Sequence, residues 1–324
     1  MPRCRPRRPL PLARTATLVA GLATGLAAAI AVPGGAWSWG AARRGGAAGT
    51  VATVRAPAPS HTPVEVLYAG SLVDVMEHAL GPRFDKATGD TFDGFAAGSQ
   101  ALASEIKSGA RQGDVLVSAS AAVDDSLRGP SNGNWVTWYA TFATSPLVLG
   151  YDPHSRFAAR LRSEPWYRVV GEPGFLLGRT DPAIDPKGVL TVTALRQTAE
   201  RRHDPALARL ATGTAGVFPE ETLVGRLQAG QLDAGFFYAG EAAAAGIPTV
   251  PLSGVHLSAR FTVTILQRAP HPDAARAFVA YLTGSHARSI LRRYGFPPVH
   301  PVQVSQPRGV PADLRRALGL PTAR

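Results

Sequence analysis

Two short glycine–serine turns constrain the fold of this chain most, because each separates a strand-like run from a helix-like run. The turns are Ala69-Gly70-Ser71 and, 28 residues later, Ala97-Gly98-Ser99. Residues 64–68 before the first turn are mostly apolar, and after the turn apolar residues recur at helical spacing. Ser71 and Asp74 also match a capping box, which predicts that the Ser71 side chain caps a helix.

These turns are also candidate anion sites. A glycine that lets the backbone come close, a serine hydroxyl and unpaired amides at a helix start together form a cradle for an anion. One such turn is commonly only a helix cap, whereas two in succession after parallel-type strands favour a bound oxyanion. In open α/β sheets, ligands bind beyond the carboxyl ends of the strands, where both turns are expected to lie.

From residue 64 onward, strand-like runs alternate with helix-like runs, which predicts an α/β fold with mostly parallel sheets. The predicted strands are 64–68, 91–96, 114–118, 146–151, 174–178, 234–238, 249–251 and 259–266. The predicted helices are 72–88, 100–109, 153–163, 189–202, 205–210, 220–229, 241–245, 272–284 and 285–294. After Pro297-Pro298 the periodicity is lost, apart from a short run at 312–318, and a surface tail is expected.

The positive charge of the chain is concentrated at its beginning. The formal net charge is +11, but residues 1–60 contain eight arginines and no acidic residue, which leaves +3 for residues 61–324. The nearly neutral body also lacks the interleaved aromatic and basic residues that single-stranded nucleic acids require. We therefore expect no nucleic-acid partner.

The residue types needed for common catalytic centres are missing or scattered. The single cysteine, Cys4, excludes an internal disulfide and a thiolate metal cluster. The chain contains no zinc-protease motif, phosphate-binding loop or dinucleotide fingerprint. We expect a binding protein rather than an enzyme, with no cofactor.

The first 60 residues have the order of an export segment. A basic stretch at 3–14 is followed by a weakly apolar run at 16–32 and by Pro33-Gly34-Gly35-Ala36. Residues 37–60 are rich in glycine, alanine and proline, which is typical of a flexible tether. The prediction is an extracytoplasmic body, either secreted or tethered to the outer face of the membrane by this segment.

The two turns belong to a longer series of motifs in a fixed order. VLYAGSL at 66–72 and AAGS at 96–99 are followed by GDVLVSAS at 113–120, WYATFAT at 138–144, GRTDPAIDPKG at 178–188, LDAGFFY at 232–238 and GFPP at 295–298. Over roughly residues 64–300 this series resembles the extracytoplasmic molybdate/tungstate-binding proteins of ABC importers. The similarity is greatest to the archaeal tungstate-binding branch.

The resemblance implies a two-lobed fold of the type II periplasmic-binding-protein class, with mixed and parallel sheets flanked by helices around a hinged cleft. The first lobe would comprise 61–145 and 251–305, the second lobe 146–250, and the surface tail 306–324. The implied ligand is molybdate or tungstate, and the implied partner is the permease of an ABC importer. A monomer is expected.

When the anion-binding positions of the family are matched one by one to this sequence, the resemblance also implies which residues bind the anion. Ser71 and Ser99 would donate hydrogen bonds from the first lobe, with Gly70 and Gly98 bringing the backbone close to the anion. Tyr238 would donate its phenol from the second lobe. Neutral donors of this kind hold a buried dianion without a fixed countercharge.

One position departs from the archaeal pattern, in which an aspartate and a glutamate bind the metal directly. Asp185 matches the aspartate, but Phe237 stands where the glutamate is expected. Because phenylalanine cannot bind a metal, a tetrahedral, hydrogen-bonded anion is the simpler expectation. Glu241, Glu220 or Glu221 are alternative sources of the missing carboxylate.

Two questions stay open at the level of sequence. Asp185 is either a direct ligand of molybdenum or tungsten, or the N-cap of a helix that begins at Pro186. A free carboxylate repels a dianion beside it unless it is protonated, binds the metal or faces away, so its presence alone does not make it a ligand. The ligand is molybdate or tungstate by resemblance, with sulfate, phosphate or another small anion as rivals. An anion sensor on the same fold is the alternative function.

Overall fold

The computed structural model describes residues 61–321. The predicted export segment and tether at 1–60, including Cys4, lie outside the described residues. Within the described part of the chain, no helix combines the length and the apolar character that a membrane span requires.

A single mixed sheet organises the described residues. Its ten strands are β1 (Pro63–Ala69), β2 (Thr91–Ala97), β3 (Val115–Ser118), β4 (Tyr139–Tyr151), β5 (Leu177–Thr180), β6 (Val217–Phe218), β7 (Ala234–Tyr238), β8 (Thr249–Pro251), β9 (Ser258–Ile265) and β10 (Pro298–Ser305). The strand order is β2-β1-β3-β9-β4-β7-β5-β6, and β8 and β10 both pair with β4. The alternation of these strands with helices confirms the predicted α/β class. The expectation of mostly parallel sheets is wrong, because five of the nine strand pairings among the described residues are antiparallel.

Helices connect most of the strands. They are α1 (Val73–Val75), α2 (Gly81–Thr88), α3 (Ser99–Ser108), α4 (Ala121–Ser126), α5 (Ala158–Ser163), α6 (Trp166–Val169), α7 (Pro186–Arg202), α8 (Pro205–Thr212), α9 (Glu220–Gln228), α10 (Ala239–Ala244), α11 (Pro272–Thr283) and α12 (Ser285–Arg293). Short 3-10 turns at Gly70–Leu72, Pro130–Asn132 and Pro307–Gly309 and a π-helical turn at Met76–Leu80 complete the described elements.

The predicted capping box at Ser71 is wrong. Ser71 lies inside the 3-10 turn, the N-cap position belongs to Ala69, and no side chain caps this turn. The helical stretch then passes through α1 and a π-helical turn before α2 begins at Gly81. The Ser71 hydroxyl is therefore not used by the helix start.

The two glycine–serine turns leave the sheet side by side. Strands β1 and β2 are parallel, with Ala69 opposite Ala97, and β3 runs parallel to β1 on its other side, with Tyr68 opposite Val117. Neighbouring strands in a sheet are about 4.8 Å apart. Because both turns follow directly after the paired alanines, Gly70-Ser71 and Gly98-Ser99 emerge at the same edge, as the sequence predicted.

Strand β4 joins this group of strands to a second one. Its first half pairs with β9 and β10, and its second half pairs with β7 and β8. Next to β7 runs β5 in parallel, so the ends of both strands, Thr180 and Tyr238, share an edge. Strand β5 spans Leu177–Thr180 rather than the predicted 174–178, which places Thr180 and the loop before α7 at that edge.

The C-terminal part of the chain differs from its prediction. Strand β10 was not predicted, because two prolines interrupt its sequence PVHPVQVS, yet it pairs antiparallel with β4. In the segment predicted to be a surface tail, the side chains of Val310, Leu314 and Leu318 are buried in the main hydrophobic core. This segment therefore contributes to the core as well as to the surface.

Candidate anion-binding site

The two predicted serines are buried and retain hydrogen-bonding capacity. The Ser71 backbone N–H donates to Glu220 Oε1 over 3.1 Å, while the Ser71 Oγ has no partner among the described residues. Ser99 is fully buried, and its Oγ accepts a hydrogen bond from the Ala119 N–H over 3.1 Å. That arrangement leaves the Ser99 hydroxyl hydrogen available to a ligand.

Both glycines stand where the backbone approaches another segment closely. A Cβ atom at Gly98 would lie 2.3 Å from the carbonyl oxygen of Ile184, and one at Gly70 would lie 2.8 Å from Glu220 Oε2. The Ile184 carbonyl also accepts a hydrogen bond from the Ala101 N–H over 3.2 Å. The glycine–serine turns thus contact the segments that begin α7 and α9.

We expect Gly98→Ala to destabilise the protein by about 1–3 kcal/mol, because the added methyl group would overlap the Ile184 carbonyl oxygen. Urea unfolding of the full chain measures the change. Gly225→Ala on α9 is the matched control, because a Cβ there meets no atom within 4 Å and alanine favours a helix over glycine by about 1 kcal/mol. Equal losses in the two variants would contradict the close approach at Gly98.

Asp185 fits the N-cap interpretation of the sequence, and its role as a ligand of molybdenum or tungsten stays a prediction. It is the N-cap of α7, where its Oδ1 accepts a hydrogen bond from the Lys187 N–H over 3.0 Å. Its Oδ2 is buried and has no partner in the described part of the chain. Burial raises the pKa of Asp185, and the positive charge of Lys187 opposes that rise. One oxygen therefore caps the helix, and the other is free to face a ligand.

Tyr238 ends β7 with a fully buried side chain. Its ring packs edge-on against Phe261 with the centroids 5.7 Å apart, and its hydroxyl has no partner among residues 61–321. Burial raises the pKa of Tyr238 well above its usual value, and the nearby carboxylates of Asp185, Glu220 and Glu241 raise it further. The phenol is therefore a protonated hydrogen-bond donor at neutral pH.

A buried ion cluster, Lys187 with Glu220 and Glu241, borders these groups, and the sequence did not predict it. The Lys187 Nζ lies 2.7 and 2.8 Å from the two carboxylate oxygens of Glu241 and 3.3 Å from Glu220 Oε1. Glu241 Oε2 also accepts a hydrogen bond from the Tyr238 N–H over 3.2 Å. Lys187 is 0% exposed, and the only signal for it in the sequence is its place in the GRTDPAIDPKG motif.

The Phe237 side chain belongs to a small hydrophobic core that borders this cluster, with its ring centroid 5.7 Å from the Lys187 Nζ. Its side chain is fully buried with Leu223, Leu232 and Ile247, as the alternation of side chains along a strand requires next to an inward-facing Tyr238. The carboxylates near the site come instead from Asp185, Glu220 and Glu241. Glu221, the third alternative ligand, is exposed.

Several buried polar atoms in this region have no hydrogen-bond partner among residues 61–321. Ser71 Oγ, Asp185 Oδ2, Glu220 Oε2 and Tyr238 Oη are all buried and unpaired within the described residues. Buried polar groups are nearly always hydrogen-bonded, so such a group of unpaired atoms indicates a place for a polar ligand. Over the same residues, no three acidic, histidine or cysteine side chains are arranged to hold a metal cation.

Two cavities meet at Glu220. One, of about 240 Å³, is lined in part by Gly98, Thr180, Asp185 and Glu220. The other, of about 370 Å³, is lined in part by Gly70, Ser71, Glu220 and Glu241. Glu220 therefore separates the space next to the second glycine–serine turn from the space next to the first.

Ser118, at the end of β3, serves a different network. Its Oγ lies 3.0 Å from Asp124 Oδ2 and 2.9 Å from Thr262 Oγ1, and the Thr262 hydroxyl donates to Asp124 over 2.5 Å. Burial raises the pKa of Asp124 to about 7, although both hydroxyl hydrogen bonds oppose the rise. The network is a structural feature beneath the third strand end.

We expect Asp124→Asn to flatten the pH dependence of stability. Because the pKa of Asp124 is higher in the folded protein than in an unfolded chain, its contribution is greatest below about pH 4 and is lost as the pH rises through about 7. Urea unfolding between pH 4 and 8 should show a steeper decline for the wild-type protein than for the variant. If the free energy of unfolding depended on pH in the same way in both proteins, the raised pKa of Asp124 would be contradicted.

Comparisons with known proteins extend over the same region. A family model described as bacterial extracellular solute-binding protein matches residues 64–297. A protein of Haloferax volcanii, whose name provisionally assigns it molybdenum binding in an ABC transporter, is 32% identical over 197 residues. That alignment covers 60% of this chain and 61% of the Haloferax protein, so it spans less than two thirds of that relative.

Two further similarities are more extensive. The molybdate/tungstate-binding protein WtpA of Pyrococcus abyssi is 22% identical over 284 residues, which cover 70% of this chain and 82% of that protein. The solved periplasmic molybdate-binding protein of Azotobacter vinelandii has a TM-score of 0.57 at 20% identity, and the match covers 72% of this chain and 98% of that one. At this identity the structural likeness shows a shared fold, which confirms the predicted type II periplasmic-binding-protein class.

Proposed function

Because the chain belongs to the family of bacterial extracellular solute-binding proteins, we propose that it captures molybdate or tungstate outside the cytoplasm and delivers the ion to the permease of an ABC importer. The names of the Haloferax and Pyrococcus relatives support this ligand class. An extracytoplasmic location follows from the family, and the predicted export segment at 1–60 agrees with it.

One observation supports the proposal: three buried hydroxyl groups on separate elements can each still donate a hydrogen bond. The hydroxyls of Ser71 and Tyr238 lack partners among residues 61–321, and the Ser99 hydroxyl retains its hydrogen. Each hydrogen bond from such a donor to a charged ligand contributes about 1.5–3 kcal/mol. Three donors of this type suit a small doubly charged oxyanion better than an apolar or a cationic ligand.

The ligand set follows the sequence prediction, with one refinement. Ser71, Ser99 and Tyr238 donate hydroxyl hydrogen bonds, and Gly70 and Gly98 allow the backbone to approach. Asp185 uses Oδ1 to cap α7, and its free Oδ2 is the atom through which a direct contact with molybdenum or tungsten would form. A tetrahedral anion held by hydrogen bonds alone remains the simpler binding mode.

The proposed capture involves closure of two lobes around the anion. The first lobe comprises 61–145 and 251–305, and the second comprises 146–250. The change of partners along β4, from β9 and β10 to β7 and β8, supports a boundary near residue 145. Contacts that the anion makes to both lobes would favour the closed arrangement. The protein is expected to act as a monomer and without catalysis.

Isothermal titration calorimetry of the full chain with sodium molybdate, tungstate, sulfate and phosphate tests the proposal. We expect submicromolar dissociation constants for molybdate or tungstate and far weaker binding of sulfate and phosphate. Sulfate or phosphate binding as tight as that of molybdate would reassign the ligand. Absence of binding by all four anions would contradict the anion-binding function.

A further inference from the structure

We propose that Glu220 is a ligand-contacting residue that holds the anion as a neutral carboxylic acid, so that capture at alkaline pH takes up one proton from solution. This inference rests on the proposed anion-binding function and deepens it. It assigns a role to a buried side chain that the resemblance to molybdate/tungstate-binding proteins did not place at the site.

Glu220 is positioned between the two glycine–serine turns and the second strand group. It is the first residue of α9 and is 4% exposed. Its Oε1 accepts a hydrogen bond from the Ser71 N–H over 3.1 Å, and its Oε2 lies against Gly70 without a partner in the described chain. Since Oε1 already accepts a hydrogen bond, the free oxygen Oε2 is where a proton would reside and from which it would be donated.

The charges around Glu220 require such a proton when an anion is present. Glu241 on α10 binds Lys187 through both of its oxygens, so these two charges offset each other. Asp185, at the start of α7, and Glu220 then remain as two negative charges beside a doubly negative ligand. Like charges at close range in a buried site repel strongly, because little water is present to screen them.

The other groups that face Glu220 do not supply the missing positive charge. Tyr238 on β7 is neutral, the turn at Ser71 presents an amide and a hydroxyl, and Glu221 on the same helix is exposed. Protonation of Glu220 removes one negative charge and converts an acceptor into an O–H donor for the anion.

Glu220 is better placed to bring a proton to the anion than the other two carboxylates. Both Glu241 oxygens are bound to Lys187, whereas Asp185 and Glu220 each keep one oxygen free. Of these three residues, only Glu220 lines both cavities. Burial and, to a smaller extent, the charge of Asp185 raise the pKa of Glu220 to about 8, against the opposing effect of Lys187. The carboxyl group can therefore exchange its proton near neutral pH.

Calorimetric titration of the full chain with sodium molybdate, in buffers of different ionisation enthalpy, counts the protons taken up. We expect about one proton per anion at pH 9, where the free carboxyl group is ionised, and close to none from Glu220 at pH 6.5. Molybdate affinity should fall about tenfold per pH unit above pH 8.

The Glu220→Gln variant should still bind molybdate, through the amide N–H of the new side chain. Compared with the wild-type protein, it should take up about one proton fewer per anion at pH 9. Its molybdate affinity should also change less than that of the wild-type protein between pH 7 and 9.5. Glu200→Gln, at an exposed position on α7, is the control and should behave like the wild-type protein. Circular dichroism establishes that the variants are folded, and the wild-type proton count does not depend on any variant.

Two results would overturn the role of Glu220 while leaving the proposed function intact. One is tight molybdate binding by the wild-type protein with no proton uptake at pH 9, and the other is unchanged proton uptake in Glu220→Gln. A wild-type protein that binds no molybdate, tungstate, sulfate or phosphate would overturn both this inference and the proposed function.

Discussion

Replacing Lys187 with methionine is expected to destabilise the folded protein by about 3–5 kcal/mol, the usual cost of leaving buried charges without their partner. Lys187 is 0% exposed, and it lies within 3.3 Å of both Glu220 and Glu241. Burial lowers the pKa of Lys187, but the two carboxylates raise it by more, so the amine is charged. Urea unfolding of the full chain at pH 8 measures the loss.

The loss should be smaller at pH 5, because Glu220 and Glu241 can then take up protons instead of remaining as unpaired charges. Adding Glu241→Gln to Lys187→Met should restore part of the stability, since the amide is neutral and its oxygen can still accept the hydrogen bond from the Tyr238 N–H. A loss below about 1 kcal/mol at pH 8, a value typical of exposed ion pairs, would show that this cluster is solvated rather than buried.

Ser71→Ala and Ser99→Ala are each expected to weaken molybdate binding by about 1.5–3 kcal/mol, or roughly 10- to 150-fold, because each removes one donor to a buried charge. The two variants should differ in stability without ligand. The Ser71 hydroxyl has no partner among the described residues, so its removal should not destabilise the protein. Ser99 accepts a hydrogen bond from the Ala119 N–H, so its removal should cost about 1 kcal/mol.

Calorimetry measures the binding, and thermal unfolding without ligand measures the stability. Ser104→Ala on α3 is the control, because its hydroxyl is exposed and donates only to the Gln100 carbonyl. It should bind molybdate like the wild-type protein. Wild-type affinity in both Ser71→Ala and Ser99→Ala would remove the glycine–serine turns from the site.

The strand ends next to the candidate site could be predicted because the signals are local. The apolar runs before Ser71 and Ser99 fix two strands, and parallel neighbours end at the same sheet edge. Phe237 could likewise be recognised as a poor metal ligand from its residue type alone. The structure shows it buried in the core with Leu223 and Leu232.

The ion cluster could not be predicted, because its members are brought together only by the folded chain. Ser71 and Glu220 are 149 residues apart, and Lys187 and Glu241 are 54 residues apart. Glu220 and Glu241 were considered only as substitutes for a missing ligand, and nothing local indicates that Lys187 is buried between them.

Two local rules also failed, for different physical reasons. The spacing of Ser71 and Asp74 fits a capping box, but the chain already enters a 3-10 turn at Gly70, with Ala69 as the N-cap, which places Ser71 inside the turn. Strand β10 was missed because its prolines lower the local preference for a strand. Pairing with β4 at the edge of the sheet overrides that preference.

The crystal structure of the full chain with tungstate, located by the anomalous scattering of tungsten, tests the central claim most directly. The claim is that buried, uncharged donors from both strand groups surround a single oxyanion. The predicted result is one tungsten position whose oxygens accept hydrogen bonds from Ser71, Ser99 and Tyr238. A tungsten position remote from these three hydroxyls, or no ordered tungsten at saturating tungstate, would contradict it.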